Sequence, residues 1–329
     1  MSTRLFRRYG DSVTRYGVLV LILVAVTALG EAIAPATLAP SNLATMTTYG
    51  VPLGLMAFGE ALVILGGGGA IDLSIGGLYP LAPVVAALLM GHHVAEWLAV
   101  MAALGVGVAG GIVNGLIVVG LGIPAIIVTL GTLYGYSGLA EVIANGVNLT
   151  SFPASFGDIG QGVVGGIPNQ VLFIYLPIAV VVWYIASRSL YAYRIRLAGT
   201  NPVAAYLSGV NVRSTRFKAY VISGLLASLA GVVESSLIMT ASPSAGGVFT
   251  VFVVVTIVVL GGVDLFGGEG TVLGIVIATA VLMVLGYSFD LANANSVLET
   301  GLTGVLLIVA LLGRLGAVRF QARLRVRNN

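Results

Sequence analysis

The chain has 329 residues, 58% of them hydrophobic and only 8% charged, with 46 glycines, no cysteine and a net charge of +3. A mean hydropathy of +1.07 is that of a membrane protein, so the pI near 9.2 does not point to nucleic acid. The missing cysteines exclude disulfides, thiolate chemistry and cysteine-ligated metal.

All 15 basic residues fall into three clusters: Arg4 to Arg15, Arg188 to Lys218, and Arg314 to Arg327. Short cytoplasmic loops retain Lys and Arg while translocated loops lack them. About 20 apolar residues cross a bilayer core, and on that measure the spans expected in chain order are 16–35, 50–68, 71–91, 94–119, 124–146, 168–187, 215–240, 246–262, 270–290 and 296–313. Six precede the second cluster and four follow it, so every cluster lands on one face, with both termini cytoplasmic. The basic start and apolar stretch of residues 1–29 resemble a signal peptide, but Pro35 after Ala32-Ile33-Ala34 makes a poor cleavage site, and an uncleaved first span is expected. No polar stretch is long enough for a soluble domain. Residues 1–329 read as one all-α transmembrane domain, its many glycines suited to close helix approach in lipid.

The second and third spans are separated by Gly66 to Gly69, followed by Asp72 and Ser74. A carboxylate in a membrane segment costs roughly 2.5–3.5 kcal/mol on insertion scales, which invites a functional reading. A glycine run that opens the backbone is the pattern of a broken helix beside a substrate site. Asp72 can equally cap the following helix. Glu60 lies within the second span, where it either faces a wet pathway or is hydrogen-bonded inside the bundle. Asn114, Thr129 and Thr132 on the fourth and fifth spans suit bonding to hydroxyls of a passing solute, or to neighbouring helices. Tyr134 and Tyr136 suit an outer vestibule or the interface. Glu234 raises the same question as Glu60, whereas Glu299 reads as a surface residue near an outer helix end. His92 and His93 are adjacent in an outer loop near Glu96, poor geometry for a metal ligand pair.

Between Arg196 and Arg213 lies AGTNPVAAYLSG, residues 198–209. Asn201-Pro202 signals a helix start with Pro in the first turn. Ala204, Ala205 and Leu207 supply a small face, and Gly209 ends the helix. Such a segment is either a docking element or an ordinary interfacial turn.

GGGGAIDLSIGG at 66–77, GGIVNGLIVVGLGIPAIIVTLGTL at 110–133, the 198–209 segment and LGGVDLFGGEGTVLG at 260–274 stand in an order and spacing that resemble the permease subunits of bacterial sugar-type ABC importers, the ribose, xylose, galactose and autoinducer-2 group. The resemblance covers roughly 45–313. It implies a ribose-permease-type fold of about ten helices in the bacterial inner membrane, working with a second permease subunit, identical or a similar sister. It implies a separate ABC ATPase that binds ATP and Mg, and an extracytoplasmic solute-binding protein. No cofactor is expected in this chain. The resemblance also implies that about 196–214, with Gly199, Asn201, Pro202, Ala204, Ala205, Leu207 and Gly209, is the coupling segment that enters the ATPase.

Asp264 and Glu269 flank a glycine-rich loop that either lies beside the ATPase or is a tight turn. Two departures stand out. Relatives often carry an uncharged residue at Glu60, and carboxylates where this chain has Val251 and Val253, so a common sugar specificity does not transfer. The only lysine, Lys218, sits in Phe-Lys-Ala, so no GxxxxGK[ST] phosphate loop is possible. A proton-coupled transporter using Glu60, Asp72 and Glu234 is the alternative; it gives no reason for the 198–209 segment.

Overall fold

The computed structural model describes residues 2–294, 298, 301–305 and 308, with the side chains of 2–15 left aside. Glu299, most of the tenth apolar segment and the third basic cluster lie outside the described residues.

The helices are α1 (Ser2–Ile33), α2 (Pro40–Leu65), α3 (Ile75–Gly91), α4 (Glu96–Gly115), α5 (Ala125–Ile143), the single turn α6 (Gly157–Gly160), α7 (Leu176–Arg188), α8 (Leu190–Thr200), α9 (Pro202–Leu207), α10 (Val212–Ile238), α11 (Gly247–Leu260) and α12 (Val272–Leu291). A π turn extends α4 over Leu116–Gly120, and another, Gln170–Tyr175, precedes α7. The latter falls where Pro177, lacking an N–H, leaves the ladder a donor short. The one small sheet pairs Val163–Val164 with Ile167–Pro168.

Seven helical segments among the described residues are long and apolar enough to cross a membrane: Tyr16–Ile33, Pro40–Leu65, Glu96–Gly120, Ala125–Ile143, Gln170–Arg188, Val212–Ile238 and Val272–Leu291. The second begins ten residues before the expected 50, because Pro40 at its first turn starts a helix in a stretch too polar for a hydropathy count. The expected spans 71–91 and 246–262 are shorter helices of 17 and 14 residues. At 1.5 Å per residue they reach only about 25 and 21 Å, against a hydrocarbon core of about 30 Å. Each is joined to a long helix by a glycine-rich loop that folds into the bundle. Non-helical backbone at such depth is tolerated only where protein covers it.

Helix α10 is the central post, packed against α2, α3 and α4, while α1 lies along α12. Glycines set the spacing: a Cβ on Gly224 of α10 would run into the carbonyl oxygen of Gly107 on α4. The main core joins Leu55, Phe58 and Ile64 of α2 to Ile75 and Leu78 of α3, Val254 and Ile257 of α11 and Ala278 and Val281 of α12. Helices α4, α5 and α7 expose most of their apolar surface, as Trp97, Ile127 and Val180 illustrate. In lipid those side chains need no further cover.

Candidate functional site

At the end of the bundle that carries Arg196 and Arg216, α2 stops at Leu65 and the chain runs through Gly66–Ser74 before α3 begins. Gly67, Gly68 and Gly69 all have positive φ, between 66° and 78°, a conformation open to glycine and strained for other residues. This turn brings Asp72 under Glu60. Both residues are fully buried. The Asp72 N–H donates to Glu60 Oε1 at 3.1 Å, and Asp72 Oδ1 accepts from the Ser74 N–H at 3.1 Å and its hydroxyl at 2.6 Å. Asn114 of α4 donates to Ser74 Oγ at 2.6 Å, and Thr129 of α5 donates to the Ile71 carbonyl at 3.1 Å.

Five of the six expected pathway residues, Glu60, Asp72, Ser74, Asn114 and Thr129, thus form one buried polar cluster spanning α2, α3, α4 and α5. Thr132 is not among them; its hydroxyl returns to the Val128 carbonyl of its own helix. Glu60 faces this closed cluster, because the 66–74 turn folds beneath it. Asp72 Oδ1 organises the turn into α3, as a cap would, while Oδ2 is buried and turned towards Ser223 of α10. Asn114 Oδ1 is buried without a hydrogen-bond partner. A buried acceptor left bare costs about 1–3 kcal/mol, so the cluster has polar capacity that the single chain does not satisfy.

Directly beside the cluster, three segments meet backbone to backbone. A Cβ on Gly67 would lie 2.6 Å from Gly199 Cα, one on Gly199 would collide with the Leu65 carbonyl, and one on Gly267 would collide with Gly67. The Gly268 N–H donates to Leu65 O at 3.1 Å. Two arginines fasten the contact: Arg216 Nε donates to Gly66 O at 2.8 Å and Nη2 to Ala198 O at 3.4 Å, while Arg196 donates to Gly270 O at 3.3 Å. The 198–209 segment, the Asp72 turn and the α11–α12 loop are therefore one joint. The α11–α12 loop is the tight turn, closed by Asp264 N–H to Glu269 O at 2.8 Å and by the Asp264 carboxyl on the Phe266 N–H. The same turn supplies the joint.

Helix α9 starts as its sequence suggests, with Pro202 in the first turn and the Asn201 side chain accepting from the Ala204 N–H at 2.9 Å. Gly209, at φ +80°, follows its end. Its faces differ from expectation. Ala204 and Leu207 are exposed, but Ala205 is buried against the permease at 1% exposure, so it does not belong to the outward face. The outward apolar groups are Val203, Tyr206 and Leu207, the last 79% exposed. Two of these went unrecognised in the sequence, because a single turn and a half carries too few residues for a periodic pattern.

At the opposite end of α10, Glu234 lines a cavity of about 240 Å³ with Thr48 and Tyr49 of α2, Thr250 of α11 and Tyr287 and Asp290 of α12. Val253 is also in its wall, whereas Val251 is buried in the core. Except for Glu234 and Val253 these residues carried no local sequence signal. Tyr136 is no vestibule residue; its hydroxyl donates to Gly110 O at 3.1 Å and ties α5 to α4. Tyr134 is exposed, and His92 and His93 are exposed at the end of α3.

Comparison with known proteins agrees with this architecture. Residues 42–311 match the family described as branched-chain amino acid transport system / permease component. A probable ABC transporter permease protein, y4mJ, of Sinorhizobium fredii is 33% identical over 296 residues, covering 88% of this chain and 86% of its own length. The ribose import permease protein RbsC of Escherichia coli K12 is 35% identical over 262 residues, 78% of this chain and 80% of its own. The autoinducer 2 import system permease protein LsrD of Escherichia coli HS is 29% identical over 313 residues, 93% and 92% of the two chains. No solved structure matches. The order of motifs, the apolar helices and these relatives agree that the chain belongs to the ABC-transporter permease family, of the sugar-importer type, and is a multi-pass protein of the inner membrane.

Proposed function

We propose that this chain is the membrane-spanning subunit of an ATP-driven importer for a sugar or sugar-like small solute. It works beside a second permease chain, with ATP and Mg bound by a separate ATPase and solute delivered by an extracytoplasmic binding protein. The observation that carries this reading is the joint. The segment that the resemblance assigns to the ATPase is locked by backbone contact to the turn bearing Asp72, so movement of α9 is transmitted to the polar cluster without a flexible intermediary. Exposed Val203, Tyr206 and Leu207 form an apolar patch on a cytoplasmic element, the kind of surface a partner covers. In the closed single chain Glu60, Asp72, Ser74, Asn114 and Thr129 make an inner gate, and the Glu234–Asp290 cavity is where a polyhydroxylated solute enters.

Such a subunit performs no chemistry of its own and needs no cofactor. The proton-coupled alternative finds no support among the relatives, which are ABC permeases. Co-expression with a cognate ATPase and solute-binding protein tests the proposal. A stable complex whose ATP hydrolysis rises with loaded binding protein is expected. Uptake driven by a proton gradient without ATP would overturn it. Thermal-shift screening of the binding protein against sugars names the solute.

A further inference from the structure

A second cavity, of about 410 Å³, opens at the basic end beside the joint, and the transport reading leaves it without a task. Its wall includes Gly67, Ala125, Val212, Arg213, Arg216 and Tyr220, and none of its lining residues is acidic. Two long helices begin at this wall. In α5, Ile127 and Val128 donate to the Pro124 carbonyl, which leaves the N–H groups of Ala125 and Ile126 without a backbone acceptor. In α10, Asn211 takes the N–H groups of Ser214 and Thr215, leaving those of Val212 and Arg213. Paired helix N-termini with free N–H groups favour an anion, and two guanidiniums add full positive charges. Tyr220, 2% exposed, closes the inner wall of the cavity.

The rest of the wall identifies the source of the anion. Val118, Val119 and Ile123 line the cavity, and Leu121 beside them is 73% exposed. A charged pocket that opens onto an apolar strip, at the end of the bundle where the inward basic loops lie, matches a phosphate with a hydrocarbon chain attached. We propose that this cavity is a binding site for the headgroup phosphate of an anionic phospholipid from the cytoplasmic leaflet. The phosphate sits between Arg213, Arg216 and the two helix starts, and one acyl chain lies over Val119 and Ile123. Because Arg216 also ties Gly66 to Ala198, a bound lipid firms the joint through which the ATPase acts.

The test measures the melting temperature of the full-length chain, purified in neutral detergent, against short-chain phosphatidylglycerol, short-chain phosphatidylcholine and inorganic phosphate. Phosphatidylglycerol is expected to raise Tm in a saturable way, with the other two ineffective. Arg213→Gln removes most of the shift, while Arg194→Gln, an exposed residue of the same basic cluster outside the cavity, retains it. Native mass spectrometry of the same proteins reads lipid retention directly, should Arg213→Gln lower the starting Tm. Equal shifts with phosphatidylcholine, or an unchanged response in Arg213→Gln, overturn the site. A shift from inorganic phosphate as large as from phosphatidylglycerol overturns the lipid as its source. None of these readouts uses transport, so their failure leaves the importer reading standing.

Discussion

The two ends of α10 are built on opposite principles. At the basic end, glycine backbones from three segments touch, and the polar groups of Glu60, Asp72, Ser74 and Asn114 are sealed. At the other end, Tyr49, Glu234, Tyr287 and Asp290 stand around a cavity, with the Tyr287 hydroxyl tied to Asn42 Oδ1 at 3.1 Å. At the closed end three backbone segments are in contact and two arginines clamp them, which suits it to transmit displacement; at the open end side chains wall a cavity, which suits it to accommodate. An importer at rest needs both, a rigid seal towards the ATPase and an adaptable mouth towards the binding protein.

The most severe way to break the contrast is at the joint. Gly199→Ala places a methyl group against the Leu65 carbonyl and is expected to cost about 1–3 kcal/mol and to abolish uptake, read by Tm in detergent and by transport in proteoliposomes. Gly131→Ala on α5, where a Cβ meets nothing, is the control and leaves both unchanged or slightly improved. Normal uptake in Gly199→Ala would show that the contact is incidental.

Substitutions on α9 separate docking from folding. Leu207→Arg is expected to abolish co-purification of the ATPase while stability stays within about 0.5 kcal/mol of wild type, as for an exposed site. Ala205→Arg forces a charge into a buried position and lowers Tm as well. If Leu207→Arg retained full ATPase binding, the outward face would not be the contact.

Asp72→Asn tests the gate at equal expression. The amide keeps an oxygen for the Ser74 N–H, so the turn into α3 loses only about 1 kcal/mol or less. Uptake is expected to fall at least tenfold with ATPase assembly intact. Near-normal uptake would reduce Asp72 to a helix cap.

The smallest effect is expected at the open end. Glu234→Gln or Asp290→Asn should raise the apparent KM for binding-protein-dependent uptake a few-fold, with kcat and Tm nearly unchanged. A loss of kcat instead would move the rate-limiting event to that cavity.

Much of the closed end was legible in the sequence, because its signals are local. Gly66 to Gly69 announced a break, Asn201-Pro202 announced a helix start, and Asp72 with Ser74 announced a turn. That Asp72 folds back onto Glu60, 12 positions away, depends on the path of the turn, and that Gly67 reaches Gly199 and Gly267 depends on packing between residues more than a hundred positions apart, neither of which a local pattern encodes. The open end was nearly invisible for the same reason: Tyr49, Thr250 and Asp290 come from three helices and are unremarkable on each. Hydropathy also read α3 and α11 together with their apolar flanking loops, so the helices themselves are shorter than the apolar segments that announced them.

A seam made only of backbone has a consequence for engineering. Since Gly67, Gly199 and Gly267 contribute no side chains, and Arg196 and Arg216 bind only backbone carbonyls, little at the seam depends on side-chain identity elsewhere. In the proposed complex, recognition belongs to the exposed Val203, Tyr206 and Leu207 a few residues away. Grafting the six residues Pro202–Leu207 of one permease onto another is therefore expected to redirect it to a foreign ATPase while its transmission remains intact, which makes α9 an interchangeable plug on a fixed drive shaft.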